Sequence, residues 1–194
     1  VKTIEWDVSA AEKGGYEHFM LKEIMEQPKA LRETIAPRIK EGKIHLDGIE
    51  LTREKLEKIQ RINIIACGSA YHVGVVGKYV IENMCRIPVF AEIASEFRYS
   101  DPIVDENSLV IIISQSGETA DTLAALKEAK SRGAHILSIV NVVGSSIAKA
   151  SDDVIYTWAG PEIAVATTKG YTTQLTSLYL FALYTAKKTG RIDE

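Results

Sequence analysis

Cysteine is scarce in this 194-residue chain, which has only Cys67 and Cys85. Two thiols build no disulfide framework, and neither stands in a metal-ligand spacing. Such usage fits a reducing compartment, so the sequence predicts a cytoplasmic protein. The four histidines, His18, His45, His72 and His135, are scattered, which argues against a zinc site. No apolar run exceeds strand length, so neither a signal peptide nor a membrane span is expected. Excess positive charge is missing too. Lys and Arg total 23 against 26 Asp and Glu, a net charge of −3, which gives no electrostatic reason to expect nucleic acid. Two nucleotide signatures are also absent: no G-x-G-x-x-G follows the first predicted strand, and there is no G-x-x-x-x-G-K-[ST]. A dinucleotide fold and a P-loop are therefore unsupported, and no cofactor or metal is implied.

What remains is a composition of 46% hydrophobic and 25% charged residues, enough for one globular domain with a genuine core. Residues 1–60 read as an arm. An irregular start carries Gly14-Gly15, a helical stretch Tyr16–Gln27 has Phe19, Met20, Ile24 and Met25 along one side, and Pro28 is expected to interrupt it. A second helix is predicted over Ala30–Lys40, a turn at Asp47-Gly48, and a short charged helix capped by Thr52.

From Arg61 onward, over 61–194, apolar strand-length runs alternate with helical periods. Strands are predicted at Ile62–Ala66, Pro88–Ala91, Leu109–Ile113, Ile136–Val140 and Val154–Tyr156, with helices at Tyr71–Arg86, Ala120–Arg132 and Thr172–Lys188. This alternation predicts an α/β fold, a doubly wound parallel sheet covered by helices on both faces as an α-β-α sandwich. In open sheets of this kind ligands bind beyond the carboxyl ends of the strands. Three polar loops fall there: Cys67–Tyr71, Ser114–Thr119 and Glu162–Lys169.

The second loop is the most informative. In SLVIIISQSGETADT (108–122), an unbroken β-branched strand stops at a hydroxyl-rich turn and gives way to a helix N-terminus. Orphan backbone N–H groups, the positive end of a helix dipole and three hydroxyls meet there, while Gly117 lets the backbone turn close to a ligand. Such a place suits phosphate held by neutral donors, since no Lys or Arg is present. The ordinary alternative is that Thr119 simply caps its own helix. Glu118 would repel an anion, so it is expected to point away or to meet a sugar hydroxyl. Lys169 is expected either to reach a phosphate or, more commonly for its position, to pair with a carboxylate such as Glu162. Cys67 has only His72 nearby and reads as a small core thiol rather than a nucleophile.

At these residues the chain resembles a known family. Ala66-Cys67-Gly68, the block EIASEFRY (92–99), SQSGETADTL (114–123), Asn141 to Ser146, TTKGYTTQ (167–174), and in the arm YEHFM (16–20) through KEIMEQP (22–28), are similar to the glutamine–fructose-6-phosphate aminotransferases. The likeness runs from about Glu12 to the end. SQSGETADTL following EIASEFRY is specific to that family, whereas SxSGxT alone marks the wider sugar isomerase (SIS) superfamily.

The resemblance implies the first of two SIS domains with its preceding arm, in an enzyme that makes glucosamine 6-phosphate from fructose 6-phosphate and glutamine. It implies a sugar-phosphate ligand (fructose 6-phosphate, or glucosamine or glucose 6-phosphate), a homodimer, and a glutaminase and second SIS domain in the parent chain. With those parts missing, the fragment is expected to be inactive alone. Carried over by residue, Ser114, Gln115, Ser116 and Thr119 match the family's phosphate loop. Cys67, Gly68 and Ser69 match the first-strand loop, although Ala70 lacks the hydroxyl common there. Val165 and Thr167 match positions near the sugar. No catalytic residue is assigned. Two competing functions share the hydroxyl loop: a sugar-phosphate-sensing SIS module, disfavoured because the arm is not a basic helix-turn-helix, and a stand-alone aldose–ketose phosphate isomerase, disfavoured by the family-specific arm.

Overall fold

A computed structural model describes residues 12–192. Most of the irregular start expected before Gly15 lies outside the described residues. The arm comprises α1 (Phe19–Ile35), a 3₁₀ turn (Ala36–Arg38), a two-residue hairpin β1–β2 (Ile39–Lys40, Lys43–Ile44) and α2 (Arg53–Lys58). Then come β3 (Arg61–Ala66), α3 (Ser69–Cys85), β4 (Val89–Ile93), α4 (Ala94–Tyr99), β5 (Ser108–Ser114), α5 (Ala120–Ser131), β6 (His135–Val140), α6 (Ser146–Ala150), β7 (Asp153–Tyr156) and α7 (Lys169–Lys188).

β3 to β7 form one five-stranded parallel sheet in the order β4-β3-β5-β6-β7. The expected α/β sandwich is present. Side chains alternate along each strand, so β3 and β5 feed two separate cores. Ile62, Ile64, Leu109, Ile111 and Ile113 pack with Val73 and Ile81 of α3 and Leu178, Phe181 and Ala182 of α7. Ile65, Val110 and Ile112 pack on the opposite face with Phe97 of α4, Ala125, Leu126 and Ala129 of α5, and Ile147 of α6. Glycine lets α3 come close on the first face: a Cβ on Gly77 would stand 2.3 Å from Leu178 Cδ1.

Three sequence readings are corrected or completed. First, Pro28 does not end a helix: it lies inside the 17-residue α1, which runs unbroken from Phe19 to Ile35 in place of two helices. Proline inside a helix costs about 3 kcal/mol. Both halves are held to the domain, by Glu23 and Glu26 before the proline and by Thr34 after it, and Arg38 in the following turn bonds the carbonyl of Tyr156. Second, α1 meets the domain through a polar side rather than through the apolar one that the sequence singles out. Met20, Leu21, Ile24 and Met25 are exposed, while Lys22, Glu23, Ala30 and Thr34 are buried. Third, α7 begins at Lys169 rather than Thr172, so its first turn belongs to the loop beyond β7.

Ile111, in the central strand, is fully buried. Ile111→Ala should lower unfolding free energy by about 2–5 kcal/mol in a denaturant titration.

Candidate functional site

Strand register puts the loops in line. Ala66 pairs with Ile113 and Ser114 with Val140, so the chain leaves β3, β5 and β6 at one level, at Cys67, Gln115 and Asn141. β3 continues into α3 on one face, and β5 into α5 on the other. Their divergence opens a crevice at the sheet's topological switch point. A cavity of about 470 Å³ sits there, lined by Cys67, Ser69, Ser114, Gln115, Ser116, Thr119, Val165 and Thr167, eight of the nine sequence candidates. The ninth, Gly68, adopts φ +58° and starts α3 without itself lining the cavity.

Gly117 makes the β5–α5 turn possible. It takes φ +68°, and a Cβ there would stand 2.1 Å from Ser145 Oγ, so no other residue fits without displacing the α6 start. Ser114 Oγ accepts from the Gly117 N–H at 3.0 Å and lies 3.1 Å from Thr119 Oγ1. One of those two hydroxyls donates to the other, leaving a single proton between them for a ligand. Ser116 Oγ accepts from Glu118 N–H at 3.2 Å, which leaves its hydroxyl proton available to donate to a ligand. The capping alternative does not hold: Thr119 occupies the N-cap of α5 but makes no side-chain cap bond. The opening N–H groups of α5 therefore have no side-chain acceptor at Thr119, at the positive end of the helix dipole.

Gln115 adds a second signal. Its Oε1 accepts from Gln174 Nε2 at 3.1 Å, while its own Nε2 is buried with no partner. A buried donor left unpaired beside a polar cavity asks for an acceptor. Gln174 itself was not singled out in the sequence. Its signal was there, however, because it stands four residues before Leu178 on the buried stripe of α7, where a polar residue is out of place.

Charged neighbours turn away from this cradle. Glu118 is exposed and its Oε1 accepts from Ser146 N–H at 2.8 Å, capping α6. Ser146's side chain and backbone N–H hold its carboxyl below the usual 4.5. Lys169 does not line the cavity and pairs with a carboxylate, as its commoner expected role has it, although the partner is not Glu162. Its ammonium is buried and lies 2.7 Å from Glu26 Oε2 on α1. Glu162 instead accepts from Thr167 Oγ1 at 2.9 Å, Thr168 N–H at 2.9 Å and Gly170 N–H at 3.2 Å, fixing the first turn of α7. A Cβ on Gly170 would collide with that carboxylate at 2.5 Å.

Asn141 is likewise committed. Its Oδ1 accepts from Thr157 and Ala159, and its Nδ2 donates to the Gly160 carbonyl. The lining thus contains no Lys, Arg or His, and its one carboxylate is already satisfied. Such a cavity can bind and orient an anion through neutral donors, and its lining has no uncommitted carboxylate, ammonium, guanidinium or imidazole.

Comparison with known proteins gives the family and the fold. A family model described as SIS domain matches residues 55–184. The chain is 65% identical over 185 residues to a Clostridium acetobutylicum protein named glutamine–fructose-6-phosphate aminotransferase [isomerizing], covering 95% of this chain and 30% of that one. A protein of the same name from Caldanaerobacter subterraneus is 64% identical over 98% of this chain and 31% of its own length. The chain therefore spans about a third of the relatives it matches. Among solved structures, the C-terminal domain of glucosamine-fructose-6-phosphate aminotransferase from Francisella tularensis superposes with a TM-score of 0.88 at 45% identity, over 94% of this chain and 51% of that one.

Two predictions follow from the side chains around the cavity. Glu118 has a lowered carboxyl in the fold, so its cap stabilises fully above the unfolded value and is lost as pH falls through the folded one. The stability difference between the protein and its Glu118→Gln variant should therefore be present at neutral pH and shrink on acidification below 4.5, as read by thermal melts across pH. The two thiols should also separate: burial pushes Cys85 up to about 11, whereas Cys67 lines the cavity. Iodoacetamide at neutral pH should label Cys67 and spare Cys85, as read by peptide mass spectrometry.

Proposed function

The chain belongs to the SIS domain family, and from that premise we propose that it is the fructose 6-phosphate-binding part of a glutamine–fructose-6-phosphate aminotransferase. The observation that carries this reading is the cationless hydroxyl and N–H cradle at the β3/β5 crevice, built from Ser114, Ser116, Thr119 and the start of α5. A phosphate seated there accepts from Ser116, from the Ser114–Thr119 pair and from the opening turn of α5. The sugar then extends across the cavity towards Gln115, Val165 and Thr167, where the unpaired Gln115 Nε2 meets a hydroxyl or carbonyl oxygen.

The role of this domain is positioning. Fixing the phosphate places C1 and C2 of the open-chain sugar for acid, base and amine groups supplied by the remainder of a longer enzyme, namely a glutaminase domain and a second SIS domain. The lining offers no free base, so the chain alone is expected to turn nothing over. In this reading a second copy of the chain completes a homodimer, and the scarcity of cysteine supports a reducing, cytoplasmic setting. The exposed Met20, Leu21, Ile24 and Met25 supply apolar surface suited to such association.

The test is calorimetric titration of fructose 6-phosphate into the full-length protein and its Ser116→Ala/Thr119→Ala variant, with arabinose 5-phosphate and glucose 6-phosphate as comparators. Hydrogen bonds to a charged phosphate contribute about 1.5–3 kcal/mol each, so the double variant should bind at least ~100-fold more weakly. Unchanged affinity would overturn the assignment of the cradle. Preference for arabinose 5-phosphate would point to an aldose–ketose isomerase instead.

A further inference from the structure

The loop between β7 and α7, residues 157–168, has no regular structure and carries Glu162, Val165 and Thr167 to the cavity. A dozen irregular residues need their backbone groups satisfied by something other than a helix or sheet. Within the matched domain, Asn141 holds one end through Ala159 N–H, and Glu162 holds the other through Thr168 N–H. The middle is held from outside it. Glu23, on the arm helix α1 and well before the segment that matches the family model, is 2% exposed. Its Oε1 accepts from Ile163 N–H at 2.6 Å and from Ala164 N–H at 3.1 Å. One helical turn on, Glu26 receives the buried Lys169 at 2.7 Å.

Burying a carboxylate is costly, and here the two backbone N–H groups at Oε1 are what offset it, since Oε2 has no hydrogen-bond partner among the described residues. Sites of this kind are only as well ordered as the groups that support them. We propose that Glu23 is a positioning residue for the sugar-phosphate cavity. Its carboxylate clamps the backbone at Ile163 and Ala164 and thereby sets where Val165 and Thr167 stand, so the arm is part of the site rather than a tether. Only the identity of the ligand in this proposal rests on the function given above. The clamp itself does not.

The experiment uses the full-length protein and four variants: Glu23→Gln, Glu23→Leu, Glu23→Asp and, as a control that loosens α1 elsewhere, Arg38→Met, whose native side chain bonds the Tyr156 carbonyl. Amide hydrogen exchange is followed at Ile163 and Ala164, and fructose 6-phosphate affinity is measured alongside. Glu23→Leu should speed exchange at those two amides at least ~10-fold and weaken binding about 10-fold. Glu23→Gln keeps an acceptor oxygen and should restore both. Arg38→Met should lower the melting temperature without changing either. If Glu23→Leu does not fold, Glu23→Asp, which withdraws the carboxylate from the loop, reads the same two quantities. Unchanged exchange at Ile163 and Ala164 in the folded Leu or Asp variant, or equal effects from Arg38→Met, would overturn the clamp. Failure of the unsubstituted protein to bind fructose 6-phosphate would instead overturn the functional reading and leave the exchange comparison standing.

Discussion

Two adjacent parallel strands that send their chains to opposite faces of the sheet govern everything at this protein's working edge. β3 passes to α3 and β5 passes to α5, and because the two helices part, the backbone at Cys67 and at Ser114 faces a crevice rather than packed side chains. Register places those loops level with each other. The cavity follows from this geometry before any side chain is considered. The side chains then decide what it can hold: hydroxyls, an amide and N–H groups, with no cation among the lining residues.

Around that crevice, charge is used for construction rather than for ligand contact. Glu118 caps α6, Glu162 secures the start of α7, Glu23 engages the loop between them, and Lys169 is neutralised by Glu26. Glu118, Glu162 and Glu23 each turn one carboxylate oxygen towards backbone N–H groups. The field at the cradle is therefore left to the α5 terminus and the neutral donors. This arrangement reconciles an acidic residue in the middle of the loop with the phosphate proposed to sit beside it.

Much of the fold was legible from pattern alone. The five apolar runs and their intervening helical periods specify parallel strands and covering helices because a two-faced sheet needs both. The arm was not legible. The sequence places its apolar residues along one side without saying what that side meets, and the domain takes up Lys22, Glu23 and Thr34 and leaves Met20, Leu21 and Ile24 outside. Hydrophobic periodicity reports a face, not the surface that face meets. Pro28 misled for a related reason, since tertiary bonds on either side outweigh a local break.

By itself the sequence determined the strand–turn–helix units and the chemistry of the hydroxyl loop, because both depend on residues close together in the chain. Gly117 and its flanking serines specify a tight, donor-rich turn wherever the sheet places it. Only tertiary structure decided the strand order, and with it the meeting of Cys67, Ser114 and Thr167. It also decided that Lys169 serves Glu26 and that Glu23 reaches Ile163. These pairs lie dozens to well over a hundred residues apart, and no local propensity encodes a contact that exists only once the layers have closed.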